Sequence, residues 1–376
     1  MTRIYLDHNA TAPLDAQVGA WLRRASRVVY GNPASLHAEG RQAKLTIDTA
    51  RQGVADLLGC TADQVIFTSG GTEANNLAVH AARQKSRQAL AVRTAIEHPA
   101  VAKPVDALRD DGWRVTVLPV SAVGHVADWA PAADAGLVCA MLANNEVGTV
   151  LDLAAARASA PRAWLHCDAV QAIGKLPVQF GALQVDSLAV SGHKFGAPPG
   201  VGLLLVRNAA AVAPLLVGGG QEGGWRSGTP SALLIGSLHV ALHAAVTLLT
   251  QRTERMRLCR DALEAVIVQG LHGQGVQLLG DVDRRLPNTS CLAFAGISAE
   301  ALVTQLDAVG VATATGSACS SGSGKVSPVL LALGGPTTGV LRLSTGPTTT
   351  LGQVRRAAAL VVQAVHRLRH LAGHQG

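Results

Sequence analysis

From residue 65 onward, short apolar runs alternate with stretches of helical spacing. Residues 65–69, 90–94, 114–119, 137–142, 164–167, 188–190 and 201–206 are mostly continuous apolar runs rather than alternating ones. Such runs predict strands buried on both faces. Helical spacing predicts helices over 38–58, 72–82 and 101–110, between or before them. The β-α-β rhythm therefore predicts an α/β fold with a mainly parallel sheet covered by helices. The first part of the chain is different: Asp7 to Pro13 and Gly31 to Ser35 are turn chemistry. Residues 230–265 read as one long helix, rich in Ala, Leu and Val, connecting two domains. Beyond it, strands at 276–279, 290–294, 311–315 and 340–344, with helices at 299–309 and 351–371, predict a compact second α/β domain.

Composition narrows the class. The chain has 376 residues, 48% hydrophobic and 15% charged, which excludes a disordered or fibrous chain. Aromatics are only 3%, so core and pocket must be built mainly from Ala, Val and Leu. The net charge of +7 is scattered, with a mild cluster at Arg355, Arg356, Arg367 and Arg369. A solvated helix face explains that cluster, and direct nucleic-acid binding is not expected. Cys60, Cys139, Cys167, Cys259, Cys291 and Cys319 form no CxxC pair and have no metal-ligand spacing, so neither a disulfide framework nor a metal site is expected. The N-terminus lacks the apolar region of a signal peptide, and no run of about 18 apolar residues could span a bilayer. A soluble cytoplasmic protein with reduced thiols is the expectation.

Polar residues cluster where predicted strands end. Ser191-Gly192-His193-Lys194 follows the run at 188–190. A lysine at the end of a buried strand is unusual, and a desolvated amine suits Schiff-base chemistry with an aldehyde such as pyridoxal phosphate. The plainer reading is a surface turn with a solvated lysine. Gly70-Gly71-Thr72-Glu73 opens a helix and offers backbone N–H groups to an anion, or is simply an N-cap. His98 follows the run at 90–94, as a ring-stacking proton shuttle or a structural histidine. Asn145 lies in Asn144-Asn145-Glu146, at another strand end. Asp168 would pair with a pyridinium nitrogen or cap the next helix, and Gln171 lies one turn on. Arg226-Ser227-Gly228-Thr229 closes a glycine-rich stretch suited to a phosphate or carboxylate, or to a linker. Cys319, in Gly316-Ser317-Ala318-Cys319-Ser320-Ser321-Gly322, sits on a small-residue loop, a candidate nucleophile. Arg342 offers a planar fork suited to an amino-acid carboxylate.

Taken together and in order, YLDHNATAPL, GNPASLHAEGRQA, FTSGGTEANN, EHPAV, NNEVGTV, HCDAVQAIGK, SGHKFGAPPGVG, RSGTPS, GSACSS and LRLSTG resemble the cysteine desulfurases of the NifS/IscS type, class V members of the aminotransferase fold. The resemblance covers nearly the whole chain. It implies fold type I, with a large cofactor-binding domain over 12–255 and a small domain of 1–11 and 256–376 carrying the Cys319 loop. It implies pyridoxal 5′-phosphate, with Lys194 as the Schiff-base lysine and His98 stacked on the ring. Asp168 would hold the pyridine nitrogen and Gln171 the phenolic oxygen. Gly71, Thr72, Ser191 and His193 would hold the phosphate, joined by Thr229 from the partner subunit of a homodimer. Arg342, Asn145 and Asn32 would bind the carboxylate of L-cysteine. Cys319 would take the sulfur as a persulfide, releasing L-alanine, and pass it to an acceptor protein for iron–sulfur cluster assembly or thiolation.

Two departures bear on the acceptor. Gly324-Lys325 stands where relatives usually carry a Leu-Glu pair, and the chain stops soon after its last helix, without the tail that IscS-type members use to hold their scaffold protein. A selenocysteine lyase would share every cofactor-binding residue. A pyridoxal-phosphate epimerase or aminotransferase of the same fold would not need Cys319. A dinucleotide-binding protein would need a GxGxxG turn after residues 65–69, and none is present.

Overall fold

The computed structural model describes residues 3–316 and 326–373. In chain order its strands are β1 (Ile4–Tyr5), β2 (Val65–Thr68), β3 (Leu90–Thr94), β4 (Arg114–Leu118), β5 (Leu137–Met141), β6 (Trp164–Asp168), β7 (Ser187–Ser191), β8 (Gly202–Val206), β9 (Val276–Leu278), β10 (Thr289–Phe294), β11 (Val311–Ala312), β12 (Ala314–Thr315) and β13 (Val340–Ser344). The central sheet has the order β2-β8-β7-β6-β5-β3-β4. β8 is antiparallel to both its neighbours, and the remaining pairs are parallel. Since β2 and β7 both oppose β8, β2 runs in the same direction as the parallel strands. The sheet is mainly parallel, as the apolar runs predict.

Helices on both faces explain why these strands are apolar throughout. Side chains alternate across a strand. Val138 and Ala140 of β5 join one core while Leu137 and Cys139 join the other. Leu203 and Leu205 of β8 likewise face one layer, Leu204 and Val206 the opposite one. One layer is built by Ala16–Ala25, Ala38–Leu58 and Ala232–Thr247. The Gly71–Lys85 helix forms much of the other, with Ala74, Ala78, Ala81 and Ala82 bringing its backbone close to the sheet. Small residues thus replace the missing aromatics.

A further core holds the antiparallel sheet β12-β13-β10-β9, the Leu249–Gly270 and Leu351–Leu371 helices and, from the other end of the chain, Ile4 and Leu6. β1 pairs in parallel with β11. The chain then crosses, through residues 7–11, to the central sheet.

Two elements differ from the sequence reading. The helix expected over 230–265 is two helices, Ala232–Thr247 and Leu249–Gly270, meeting at 73°. The first packs with the helices on the central sheet and the second with the core around β10 and β13, so each half follows its own core. The Thr247 hydroxyl also bonds back to the His243 carbonyl, which favours a bend. The strand expected over 311–315 is divided at Thr313, with β11 pairing to β1 and β12 to β13. No single helix among the described residues is long and apolar enough to cross a membrane.

Gly202 marks the tightest crossing near the sheet's functional edge. A Cβ there would stand 2.6 Å from both the Gly70 Cα and the Val190 carbonyl oxygen, both backbone atoms. Gly202→Ala is expected to cost about 1–3 kcal/mol, read from the denaturant midpoint at unchanged m-value.

Candidate active site

The carboxyl ends of β2, β3, β5, β6 and β7 lie along one edge of the sheet, where open α/β sheets bind their ligands. A cavity of about 490 Å³ opens there, closed from the opposite side by Asn9, Ala10 and Arg342. Gly71, Thr72, His98, Asn145, Asp168, Gln171, Ser191, His193, Lys194 and Arg342 all line it. Asn32 and Thr229 do not. Both are exposed, and the Asn32 Oδ1 accepts from the Ala34 N–H to close a local turn. Cys319 lies outside the described residues.

After β2, residues 69–71 turn tightly into the Gly71–Lys85 helix. A Cβ on Gly71 would meet the Val170 Cγ2 at 2.7 Å and the Ser191 Cβ at 3.3 Å, so only glycine leaves this cradle open. Glu73 holds the turn. Its carboxylate accepts from the Ser69 N–H at 2.9 Å and pairs with the Arg226 Nε at 2.8 Å. Burial alone would raise the Glu73 carboxyl, but the Arg226 and Ser69 contacts hold it below the usual range. Arg226, read from sequence as a possible anion ligand, is therefore committed to Glu73 and docks its loop onto the cradle helix.

Lys194 ends a short helical turn after β7. Its Nζ donates to the Asn9 and Ala10 carbonyls at 2.7 and 2.9 Å. The neighbouring His193 ring is pushed down to about 4 by burial and by the Lys194 charge, so it is neutral near pH 7.

Asp168, at the end of β6, is held by a directional chain. One carboxylate oxygen accepts from the Val170 N–H at 2.9 Å, and the other from the Asn75 Nδ2 at 2.8 Å. With its amide nitrogen committed there, Asn75 accepts from the His166 Nε2 at 2.9 Å. The His166 Nδ1 must then accept from the Ser187 hydroxyl, 2.9 Å away, whose oxygen takes the Trp164 Nε1–H at 2.8 Å. An indole can only donate and a carboxylate only accept, so the direction is unique. Burial pushes the His166 ring down to about 3, which keeps it neutral as the chain requires. Turns rather than a helix come directly after β6; Asp168 both closes a turn and faces the cavity.

Arg342 stands on β13, opposite Cys291 and Ala314. Its Nη1 donates to the Asn145 carbonyl at 3.1 Å and its Nη2 to Asp7 at 2.8 Å. The buried Nε–H has no partner among the described residues. A guanidinium fixed in this way is oriented for an anion.

The aminotransferase class-V family profile matches residues 4–356. The chain is 40% identical over 388 residues to the IscS-like cysteine desulfurase of Mycobacterium tuberculosis, across 98% of each sequence. It resembles the structure of a NifS-like protein with a TM-score of 0.89 and 32% identity, over 98% of this chain and 100% of that one. It also resembles SspA in complex with cysteine, with a TM-score of 0.77 and 27% identity, over 93% of this chain and 100% of that one.

The chain belongs to the aminotransferase class-V family.

Several residues that shape this class-V site carry no role in the sequence reading. Asn75 and His166 support Asp168, Asn9 anchors Lys194, and Glu97, next to His98 in the chain, ties β3 to β5. Of these, only Glu97 was marked by its place, directly before a candidate residue. The others were embedded in a turn (Asn9), a helix (Asn75) and a strand (His166) whose local pattern already accounted for them.

His98 caps the Pro99–Ala107 helix, its Nδ1 accepting from the Ala100 N–H at 3.1 Å. The neutral ring thus carries its proton on Nε2. Burial lowers its pKa, Asp168 opposes that and Lys194 adds to it. Cysteines elsewhere are poor nucleophiles. Burial pushes the Cys60 thiol up to about 11 and the Cys291 thiol up to about 12, and raises Cys139, Cys167 and Cys259 as well.

The Glu97 carboxyl ties β3 to β5, accepting from the Thr94 hydroxyl at 2.6 Å and the Met141 N–H at 2.9 Å. Burial pushes it up to about 8 from an ordinary value of 4.5, so it is protonated at neutral pH. Between those values the folded chain binds a proton that the unfolded chain has released. Glu97 therefore lowers stability as pH rises, by up to about 1.4 kcal/mol per unit. Glu97→Gln keeps the shape without the ionisation. Its unfolding midpoint relative to the parent should rise steadily from pH 5 to pH 8 and level off above; a constant difference would refute the protonated state.

Proposed function

We propose that this protein is a cysteine desulfurase. It converts L-cysteine to L-alanine and places the sulfur on Cys319 as a persulfide, for transfer to an acceptor protein in iron–sulfur cluster assembly or thiolation. The observation that carries this reading is the convergence of Lys194, the Asp168 carboxylate, the Gly71 cradle and Arg342 on one cavity. Full-length similarity to proteins described as cysteine desulfurases supports it.

Those residues fit pyridoxal 5′-phosphate: an amine, a carboxylate and an open glycine cradle occupy three sides of the cavity. When bound, pyridoxal 5′-phosphate supplies an aldehyde for a lysine amine and a protonated ring that withdraws electrons from the substrate. Asp168, oriented by Asn75 and Val170, would hold the ring nitrogen. Gly71 and Thr72 at the helix start, with Ser191 and His193, would hold the phosphate. Lys194 would provide the amine, and His98 a proton carried on Nε2. Gln171 would face the phenolic oxygen. Arg342, fixed by Asp7 and by the Asn145 carbonyl, would take the substrate carboxylate.

Cys319 would receive sulfur as the C–S bond of L-cysteine breaks. L-cysteine and the thiol become L-alanine and the persulfide, with no outside oxidant. In the sequence Cys319 lies between β12 and β13, and β13 carries Arg342. We place a large domain at 12–255 and a small one at 1–11 and 256–376, in keeping with the separate core that gathers Ile4, Leu6 and the Leu351–Leu371 helix. Exposed Thr229 would serve the partner's phosphate in a homodimer. A reducing compartment, the cytoplasm, suits the free thiols of Cys60, Cys139, Cys167, Cys259 and Cys291.

The deciding experiment is release of alanine and sulfide from L-cysteine by cofactor-loaded protein with a thiol reductant. Equal amounts of both support the proposal; neither product overturns it. Cys319→Ala should retain the cofactor's absorption but lose sulfide release, and Lys194→Ala should lose the absorption band of lysine-bound cofactor. Arg342→Gln should raise KM for L-cysteine at least about tenfold, since a charge-assisted pair is removed.

A further inference from the structure

Behind Lys194 lies a second buried lysine that the proposed chemistry does not use. Lys175 lines a cavity of about 330 Å³ on the other side of Lys194, which lines both cavities. The Lys175 Nζ donates to the Gln171 Oε1 at 2.6 Å and to the Asn9 Oδ1 at 3.2 Å. Both partners are amide oxygens rather than carboxylates. An ammonium held so deep is costly, and burial, with repulsion from Lys194 and Arg342, puts its pKa well below the usual lysine range. His8, also buried, faces it as a neutral ring pushed down to about 4. A lysine kept in this place at such cost calls for an explanation beyond packing.

Donor–acceptor arithmetic supplies one. The primary amide of Gln171 has an oxygen at one end and an NH₂ at the other, and in isolation nothing decides which end points where. Lys175 presents N–H donors to one end, so that end must be Oε1. Nε2 is forced to the opposite side, where it donates to the Asn9 carbonyl at 2.9 Å. The same carbonyl accepts from Lys194 at 2.7 Å, so the Gln171 NH₂ and the Lys194 amine converge on one oxygen. The Asn288 Nδ2 in turn donates to the Asn9 Oδ1 at 3.0 Å and fixes that amide as well. Gln171 also lines the active cavity, and its NH₂ has a second N–H beyond the one given to Asn9.

We propose that Lys175 is a positioning residue acting through Gln171. By holding the Gln171 oxygen, it ensures that the amide offers N–H, and never C=O, to an anionic ring oxygen of the cofactor. The inference rests on the pyridoxal-phosphate reading above. Without Lys175, Oε1 loses its donor and only the Asn9 carbonyl holds the amide, so the preference for N–H over C=O on the cofactor side weakens.

The test follows the pH at which the absorption band of lysine-bound cofactor changes, in the parent, Lys175→Met, Gln171→Ala and the double variant. Losing a donor beside an anion raises its proton affinity, so Lys175→Met should move the midpoint up by about one unit. Gln171→Ala should shift it in the same direction, and Lys175→Met should add nothing further on that background. Lys175→Arg keeps a donor-only side chain and should titrate like the parent; if Lys175→Met does not fold, this variant decides. A midpoint unchanged in Lys175→Met overturns the proposal. So does an equal shift with and without Gln171, which would mean that the lysine acts by charge or general packing, or a Lys175→Arg protein shifted as far as Gln171→Ala. A parent protein with no lysine-bound band defeats the cofactor reading itself, and is distinct from these results.

Discussion

Asn9 is the point on which the two parts of the molecule and the site between them depend. Its N–H donates to the Ser344 hydroxyl, and its Nδ2 to the Thr289 hydroxyl and the Asn145 carbonyl. Its carbonyl accepts from Lys194 and Gln171, and its Oδ1 from Lys175 and Asn288. Every polar group of the residue is thus used, at 1% exposure. Ser344 and Thr289 belong to the antiparallel layer, while Lys194, Gln171 and Asn145 belong to the carboxyl edge of the central sheet. Shifting one layer against the other would break several of these bonds together. Because a buried polar group left unpaired is costly, the seam is held in a single register.

The rest of the site follows a similar logic of neutral support around a few charges. Asp168 is braced by an amide, a neutral imidazole, a hydroxyl and an indole rather than by a basic residue in direct contact. Glu97, the chain neighbour of His98, is a protonated acid buried between β3 and β5. Neutral partners orient a carboxylate without cancelling its charge, which leaves that charge to act toward the cavity. The ion pairs Glu73 with Arg226 and Asp7 with Arg342 fix the cradle helix and the Arg342 guanidinium in place at the cavity wall.

Much of the central sheet was legible because a strand buried on both faces needs apolar residues at every position. The run at 90–94 and the helices at 38–58 and 351–371 coincide with β3, Ala38–Leu58 and Leu351–Leu371. The break at Leu248 was not legible: no proline or glycine marks it, and the chain bends because its halves pack on different cores. Division of the strand at Thr313 has the same origin, since β11 and β12 answer to different partners. Among candidate site residues, those at strand ends gather at one cavity, whereas Asn32 and Thr229, on loops, do not reach it within one chain.

The sequence by itself determined the class of fold and the kinds of side chain at the strand ends, because periodicity and turn chemistry are local. It carried the motifs of the aminotransferase class-V family. Only the tertiary structure decided which polar residues support which. Asn75 and His166 are 91 residues apart, and Lys194 and Asn9 are 185. No local pattern links such positions. What links them is the requirement that each buried donor find an acceptor, and that requirement is met only once the sheets have closed around them.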